Sequence, residues 1–129
     1  MDIRIRGLDH LVITAGDLTA TVDFYTRVLG MKHVAFGEGL HAVHFGDQKF
    51  NIHDRATEVS PKARRVVPGS QDFCLISETP VSLVKQHAEA CGVEIEEGPV
   101  TRQGAAGTLL SIYFRDPDGN LVEVCNVVE

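Results

Sequence analysis

Apolar and polar residues alternate with two distinct periods along this chain, and the switches between periods mark its elements. Residues 8 to 14 (Leu8-Asp9-His10-Leu11-Val12-Ile13-Thr14) read as a strand. Asp17 is a helix N-cap, and Leu18, Val22, Tyr25, Val28 and Leu29 then recur at helical spacing on one face until Gly30 stops the run. Three short runs with strand periodicity follow, near 31 to 37, 40 to 46 and 49 to 53, separated by Gly37-Glu38-Gly39 and Gly46-Asp47-Gln48 as turns. The pattern predicts a βαβββ unit over residues 1 to 54.

The pattern then repeats. His10, Asp17 and Gly30 recur 62 residues later as Asp72, Thr79 and Gly92: a polar residue in an apolar strand, a helix cap, and a glycine past the helix end. In the second unit, residues 71 to 129, a strand at 71 to 77 leads to Thr79 as cap and Pro80 in the first turn. A helix follows, ending at Cys91-Gly92, with strands near 93 to 97, 109 to 115 and 121 to 127. Residues 98 to 108, bearing Gly98, Pro99, Gly104 and Gly107, read as a long glycine-rich binding loop, and residues 55 to 70 as a linker. The expectation is an α+β fold, with two βαβββ units in a single domain spanning residues 1 to 129.

At 129 residues and 43% hydrophobic, the chain can bury one core without staples. The net charge of −6, with dispersed acidic residues, argues against nucleic acid or an anionic membrane as partner. Met1 to Gly7 is charged and unlike a signal peptide, and no apolar run approaches the ~18 residues of a membrane span. Cys74, Cys91 and Cys125 are odd in number and lie in apolar contexts, so they read as reduced thiols of a cytoplasmic protein.

Two residues raise the question of chemistry. Glu123 stands inside the apolar run Leu121 to Cys125, where a carboxylate must face solvent or be held by a cation. His10 occupies a similar run at the other end of the chain, so a metal site built from both ends is the first hypothesis. Cys74 and Cys125 share strand parity with Asp72 and Glu123, whereas His33, His41 and His44 have no counterpart in the second unit, and His87 falls on a helix surface.

The strand around His10, the helix Thr21-Val22-Asp23-Phe24-Tyr25 to Val28-Leu29-Gly30-Met31, and the ending Phe114-Arg115-Asp116-Pro117-Asp118-Gly119-Asn120-Leu121-Val122-Glu123 together resemble the vicinal oxygen chelate superfamily. This superfamily includes glyoxalase I, extradiol dioxygenases, and fosfomycin- and bleomycin-resistance proteins. Segments 48 to 53, 69 to 76 and 97 to 100 are most similar to its group called glyoxalase domain-containing protein 5. The resemblance implies that each βαβββ unit forms an open half-barrel, with a metal on the concave face held by the first and last strands. Those positions are His10, Asp72, Glu123 and, in the first unit's last strand, the neighbourhood of Asn51. Asn51 stands where a carboxylate is expected and Asp72 where a histidine is expected. Strand alternation puts His53 on the same face as Asn51, so His10, His53, Asp72 and Glu123 form the expected metal set, with Asn51 at the substrate.

Tyr113 shares a strand face with Ser111 and Arg115, and a tyrosine at a similar place in related enzymes implies a hydrogen bond to a substrate oxygen. Arg102, read as a loop residue, is a candidate partner for an anionic substrate. The resemblance thus implies a divalent-metal enzyme (zinc, nickel, manganese or iron) acting on a small oxygen-chelating substrate, as a lyase or isomerase of the lactoylglutathione-lyase type. Glu123 would move the proton and Tyr113 would assist. An extradiol dioxygenase and a metal-free resistance protein of the binding type are the alternatives. A homodimer with sites assembled between subunits is the expected assembly.

Overall fold

The computed structural model describes residues 1–129, arranged as β1 (His10–Ala15), α1 (Leu18–Arg27), β2 (Lys32–Phe36), β3 (Leu40–Phe45), β4 (Gln48–Asp54), β5 (Asp72–Ile76), α2 (Val81–Ala90), β6 (Glu97–Gln103), β7 (Thr108–Arg115) and β8 (Leu121–Val127). They form two four-stranded sheets of the same plan, ordered β1-β4-β3-β2 and β5-β8-β7-β6. In each, the first strand lies parallel to the last and the other pairs are antiparallel. This is the expected pair of βαβββ units in an α+β fold, with neither sheet closed into a barrel.

The 62-residue repeat survives in the backbone. Gly30 and Gly92 follow the two helices at φ 67° and 84°, a left-handed conformation that glycine adopts without steric cost. The two helix starts differ. Asp17 accepts from the Ala20 amide at 3.0 Å, as its cap position predicts. The expected Thr79 cap is not formed: Pro80 (φ −53°, ψ 133°) occupies the cap position, and its ring offers no oxygen. Asn126 of β8 supplies the acceptor instead, through Oδ1 to the Val81 amide at 2.9 Å. A tertiary partner has replaced the local one.

The long loop at 98–108 and the strand at 93–97 also need correction. Residues 93–96 are irregular, and β6 occupies most of the supposed loop, leaving only Gly104–Gly107 as a turn onto β7. The register shifts between Glu97 and Val100, and this bulge accommodates Gly98 (φ 111°) and Pro99 inside a paired strand. Gly98 is required there because a Cβ would collide with the Ser111 carbonyl and Ile112.

One cluster of 15 buried residues draws on both units, including Ile13, Val43, Phe50 and Ile52 from the first sheet and Ile112, Phe114, Val122 and Val124 from the second. Phe24 of α1 packs edge-to-face on Tyr25 at 5.1 Å and tilts against Phe114 at 6.1 Å, so the first helix touches the second sheet. The turn Asp116–Asn120 locks the units together. Asp116 is 5% exposed and accepts from Tyr25 Oη (2.8 Å), Asn120 Nδ2 (2.7 Å) and the amides of Asp118 and Asn120. Asp118 receives the Gly16 amide, and Asn120 Oδ1 that of Gln71 at 2.8 Å. A buried carboxylate with four donors is satisfied, and this one ties α1 to the second sheet while its neighbours in the turn hold β1 and the end of the linker.

Candidate functional site

Because alternate residues of each strand enter the core, the others share the opposite, open face. On the first sheet the register groups His10, Val12 and Thr14 of β1 with Lys49, Asn51 and His53 of β4. On the second it groups Asp72, Cys74 and Ile76 of β5 with Leu121, Glu123 and Cys125 of β8 and Ser111, Tyr113 and Arg115 of β7. Every site residue expected on a strand therefore lies on an open face.

The supports of the two chain-end residues are already built. His10 Nδ1 lies 2.8 Å from Asp9 Oδ1, a contact in which Nδ1 donates and Nε2 faces away from Asp9. The fully buried Ser111 donates from Oγ to Glu123 Oε2 at 2.6 Å, and the Tyr113 hydroxyl and the Cys74 thiol stand beside the same carboxylate. Asn51 Oδ1 is buried with no hydrogen-bond partner, although its position is central on the first open face. Such an orphaned acceptor costs free energy unless a ligand or another chain satisfies it.

His53 is placed differently from what strand parity suggests. It pairs with Thr14, whereas His10 pairs with Lys49, so the two imidazoles stand four residues apart in register, about 13 Å along the strands. Two ligands of one ion must bring their donors within about 3 Å of each other, and zinc–nitrogen bonds are about 2 Å long. His53 is thus poorly placed to share an ion with His10. Asn51, opposite Val12, is one same-face step from His10, the same offset that relates Glu123 to Asp72. Burial depresses the His53 pKa below the ordinary imidazole value, which favours a neutral ring.

Arg102 is a strand residue and not a loop residue. Its Nε donates to Tyr113 Oη at 3.1 Å and its Nη2 to Glu97 at 3.0 Å, which fixes the guanidinium over the open face. Burial raises the Tyr113 pKa, the Arg102 hydrogen bond opposes this, and the charge of Glu123 adds to the rise. The phenol is therefore a donor at neutral pH. A cavity of ≈ 350 Å³ on this face is lined by Cys74, Arg102, Leu109, Tyr113, Glu123 and Cys125 among others. Burial, then the neighbouring Cys125 and Glu123, push the Cys74 thiol up, so it is a protonated wall and not a nucleophile. Ser111 and Asp9 hydrogen-bond two of the expected site residues, contacts that the sequence reading does not assign. The signal for each was adjacency, in sequence for Asp9 and across one strand pair for Ser111.

Within one chain, no three His, Cys, Asp or Glu side chains converge. The expected ligands are divided between the two open faces, His10, Asn51 and His53 on the first sheet and Asp72 and Glu123 on the second.

This fold, with its paired open faces, defines a class of protein, and comparison with known families agrees. Residues 7–124 match the Glyoxalase/Bleomycin resistance protein/Dioxygenase superfamily, and the chain belongs to it. Among curated relatives, it is 49% identical over 122 residues to the glyoxalase domain-containing protein RDO1 of Mycosarcoma maydis, covering 95% of this chain and 69% of that one. Among solved structures, an integron cassette protein from the mobile metagenome of V. cholerae superposes with a TM-score of 0.97 at 50% identity, covering 99% of this chain and all of that one. A lactoylglutathione lyase from Agrobacterium tumefaciens is more distant, at 28% identity and a TM-score of 0.70, covering 93% and 92%.

Proposed function

We propose that the chain is a divalent-metal-dependent enzyme of the lactoylglutathione-lyase type, acting on a small substrate with two adjacent oxygens. The observation that carries this reading is the state of three polar side chains on the open faces. His10 Nδ1 and Glu123 Oε2 are each held by a neighbour, and Asn51 Oδ1 is buried without a partner. An imidazole held by a carboxylate and a carboxylate held by a hydroxyl are what metal ligands with fixed orientation require. The donors fit a metal if Asn51, and not His53, takes the fourth position: His10 Nε2, Asn51 Oδ1, an Asp72 oxygen and Glu123 Oε1.

One nitrogen and three oxygens favour a harder ion, manganese before zinc or nickel, among the four expected from the sequence. When bound, such an ion polarises two substrate oxygens as a Lewis acid. With Oε1 released from the metal and Oε2 held by Ser111, Glu123 would carry the proton between neighbouring carbons. Tyr113, kept protonated and oriented by Arg102, donates to a substrate oxygen. Because the donors sit on two faces that do not converge in one chain, we propose a homodimer in which the first sheet of one chain faces the second sheet of its partner.

Metal content of protein purified without added metal, and dissociation constants by chelator competition, test this reading. His10→Ala, Glu123→Gln and Asn51→Ala should each weaken binding by at least the ~10- to 100-fold typical of outer-shell changes, and His53→Ala by much less. Full metal affinity in His10→Ala or Glu123→Gln would sink the metal reading, and a larger loss from His53→Ala would restore the two-imidazole set. Iron with oxygen consumption on catechols would promote the dioxygenase alternative.

A further inference from the structure

The segment 55–70 joining the two units is the most basic stretch of an acidic protein. It holds Arg55, Lys62, Arg64 and Arg65, four of the 12 Lys and Arg residues, against a single acid, Glu58. It does not hang free as a linker. It folds against the open face of the first sheet and closes a small cavity of ≈ 120 Å³, lined by Val12, Thr14, His53 and the carboxylate of Asp54 from the sheet and by Arg55, Lys62 and Arg65 from the segment, with other neighbours.

These cations are largely unspent. Of the chain's ion pairs only Lys62 with Glu58 (3.0 Å) involves the segment. The guanidinium hydrogen bonds belong to Arg4, Arg27, Arg102 and Arg115. Arg55 and Arg65 therefore have their donors available beside a partly buried imidazole. Three exposed cations against the single lining carboxylate of Asp54 leave the cavity net positive, which an anion would offset.

We propose that this cavity is an oxyanion subsite, in which Arg55, Arg65 and Lys62 hold a carboxylate or phosphate group of the substrate next to His53. This deepens the proposed function and rests on its reading of the open face as the substrate face. Val12 lines the cavity and is the register partner of Asn51, while Thr14 is that of His53. The subsite thus begins about one same-face strand step, roughly 7 Å, from the proposed metal donor Asn51. The substrate class is a small acid with its paired oxygens at one end and an anionic group at the other. Guanidinium pairs with carboxylate or phosphate through parallel hydrogen bonds, which sets the orientation of such a molecule across the site.

The test follows the His53 ring resonances of the metal-free protein during titration with inorganic phosphate and, separately, malonate at constant ionic strength. His53→Gln identifies the signals. The expected result is a saturable shift with at least one of the two anions, weakened by about tenfold or more in Arg55→Ala and in Arg65→Ala. Arg64→Ala removes a charge that does not line the cavity and should leave that affinity within about twofold. The preferred anion tells carboxylate from phosphate. No saturable shift with either anion, or equal weakening by Arg64→Ala and Arg65→Ala, would overturn the subsite. Metal affinity measured on the same variants separates the two ideas. Arg55→Ala and Arg65→Ala should keep it, so intact metal binding without anion binding removes only this inference, and anion binding to a protein that takes no metal removes only the metal reading.

Discussion

Ser111 shows how much of a site can depend on one hydroxyl. It is fully buried, and its only acceptor is a carboxylate at 2.6 Å, so it fixes the orientation of the Glu123 carboxylate. Ser111→Ala should lower metal affinity by about 10- to 100-fold, and Ser111→Thr should retain most of it, both by chelator competition. An unchanged affinity in Ser111→Ala would show that Glu123 needs no holder. At this scale the sequence was legible where chemistry conflicts with context: Glu123 in an apolar run and His10 at the opposite chain end drew notice at once. Between Asn51 and His53 the sequence leaves the choice open, because side-chain parity identifies a face but not a distance along it. The parallel pairing of β1 with β4 supplied the missing coordinate.

Arg102 and Tyr113 act as a pair. Arg102→Ala should leave folding cooperative yet reduce kcat/KM, since the phenol loses its partner on β6 and its orientation. Arg102→Lys should recover only part, because an ammonium lacks the guanidinium fork. Turnover with the substrate once identified, and thermal melts of each variant, would check this. A large loss of stability with unchanged turnover would return Arg102 to a structural role.

Among the elements, the Asp116–Asn120 turn carries a load that its sequence signature does not advertise. Asp116→Ala leaves the Tyr25 hydroxyl and the Asn120 amide without their buried acceptor, so it should destabilise by about 3 kcal/mol or more. Tyr25→Phe removes one donor and should cost about 1–2 kcal/mol. Urea unfolding of both variants measures the difference. Equal, small effects would mean that the turn is replaceable and that the shared core alone joins the units.

Element types were largely readable, since period-2 and helical runs are local properties of the chain. The failures are local as well. Gly98-Pro99 reads as a loop, yet β7 accepts it as a bulge in a paired strand, and Thr79 reads as a cap, yet Asn126 reaches across from β8 to do that work. In both places a partner distant in sequence outweighed the nearest neighbours.

At the scale of the whole molecule, the proposed function brings the two open faces together through a second copy of the chain. The protein should elute as a dimer by size-exclusion chromatography with light scattering at micromolar concentration. Mixing unfolded His10→Ala and Glu123→Gln chains and refolding them together supplies a sharper test. A mixed dimer with sites between subunits holds one site with both defects and one intact site, so metal binding should partly return. Sites within single chains would recover none.

No helix of the protein is long and apolar enough to cross a membrane. By itself the sequence determined the repeat, the α+β character and the family, because periodicity and motif residues in apolar strands are properties of the chain alone. Only the tertiary structure decided the register that separates His53 from His10, the folding of the basic segment over the first sheet, and the division of the donors between two faces. Those depend on which strands lie side by side, and pairing between residues far apart in the chain leaves no local trace.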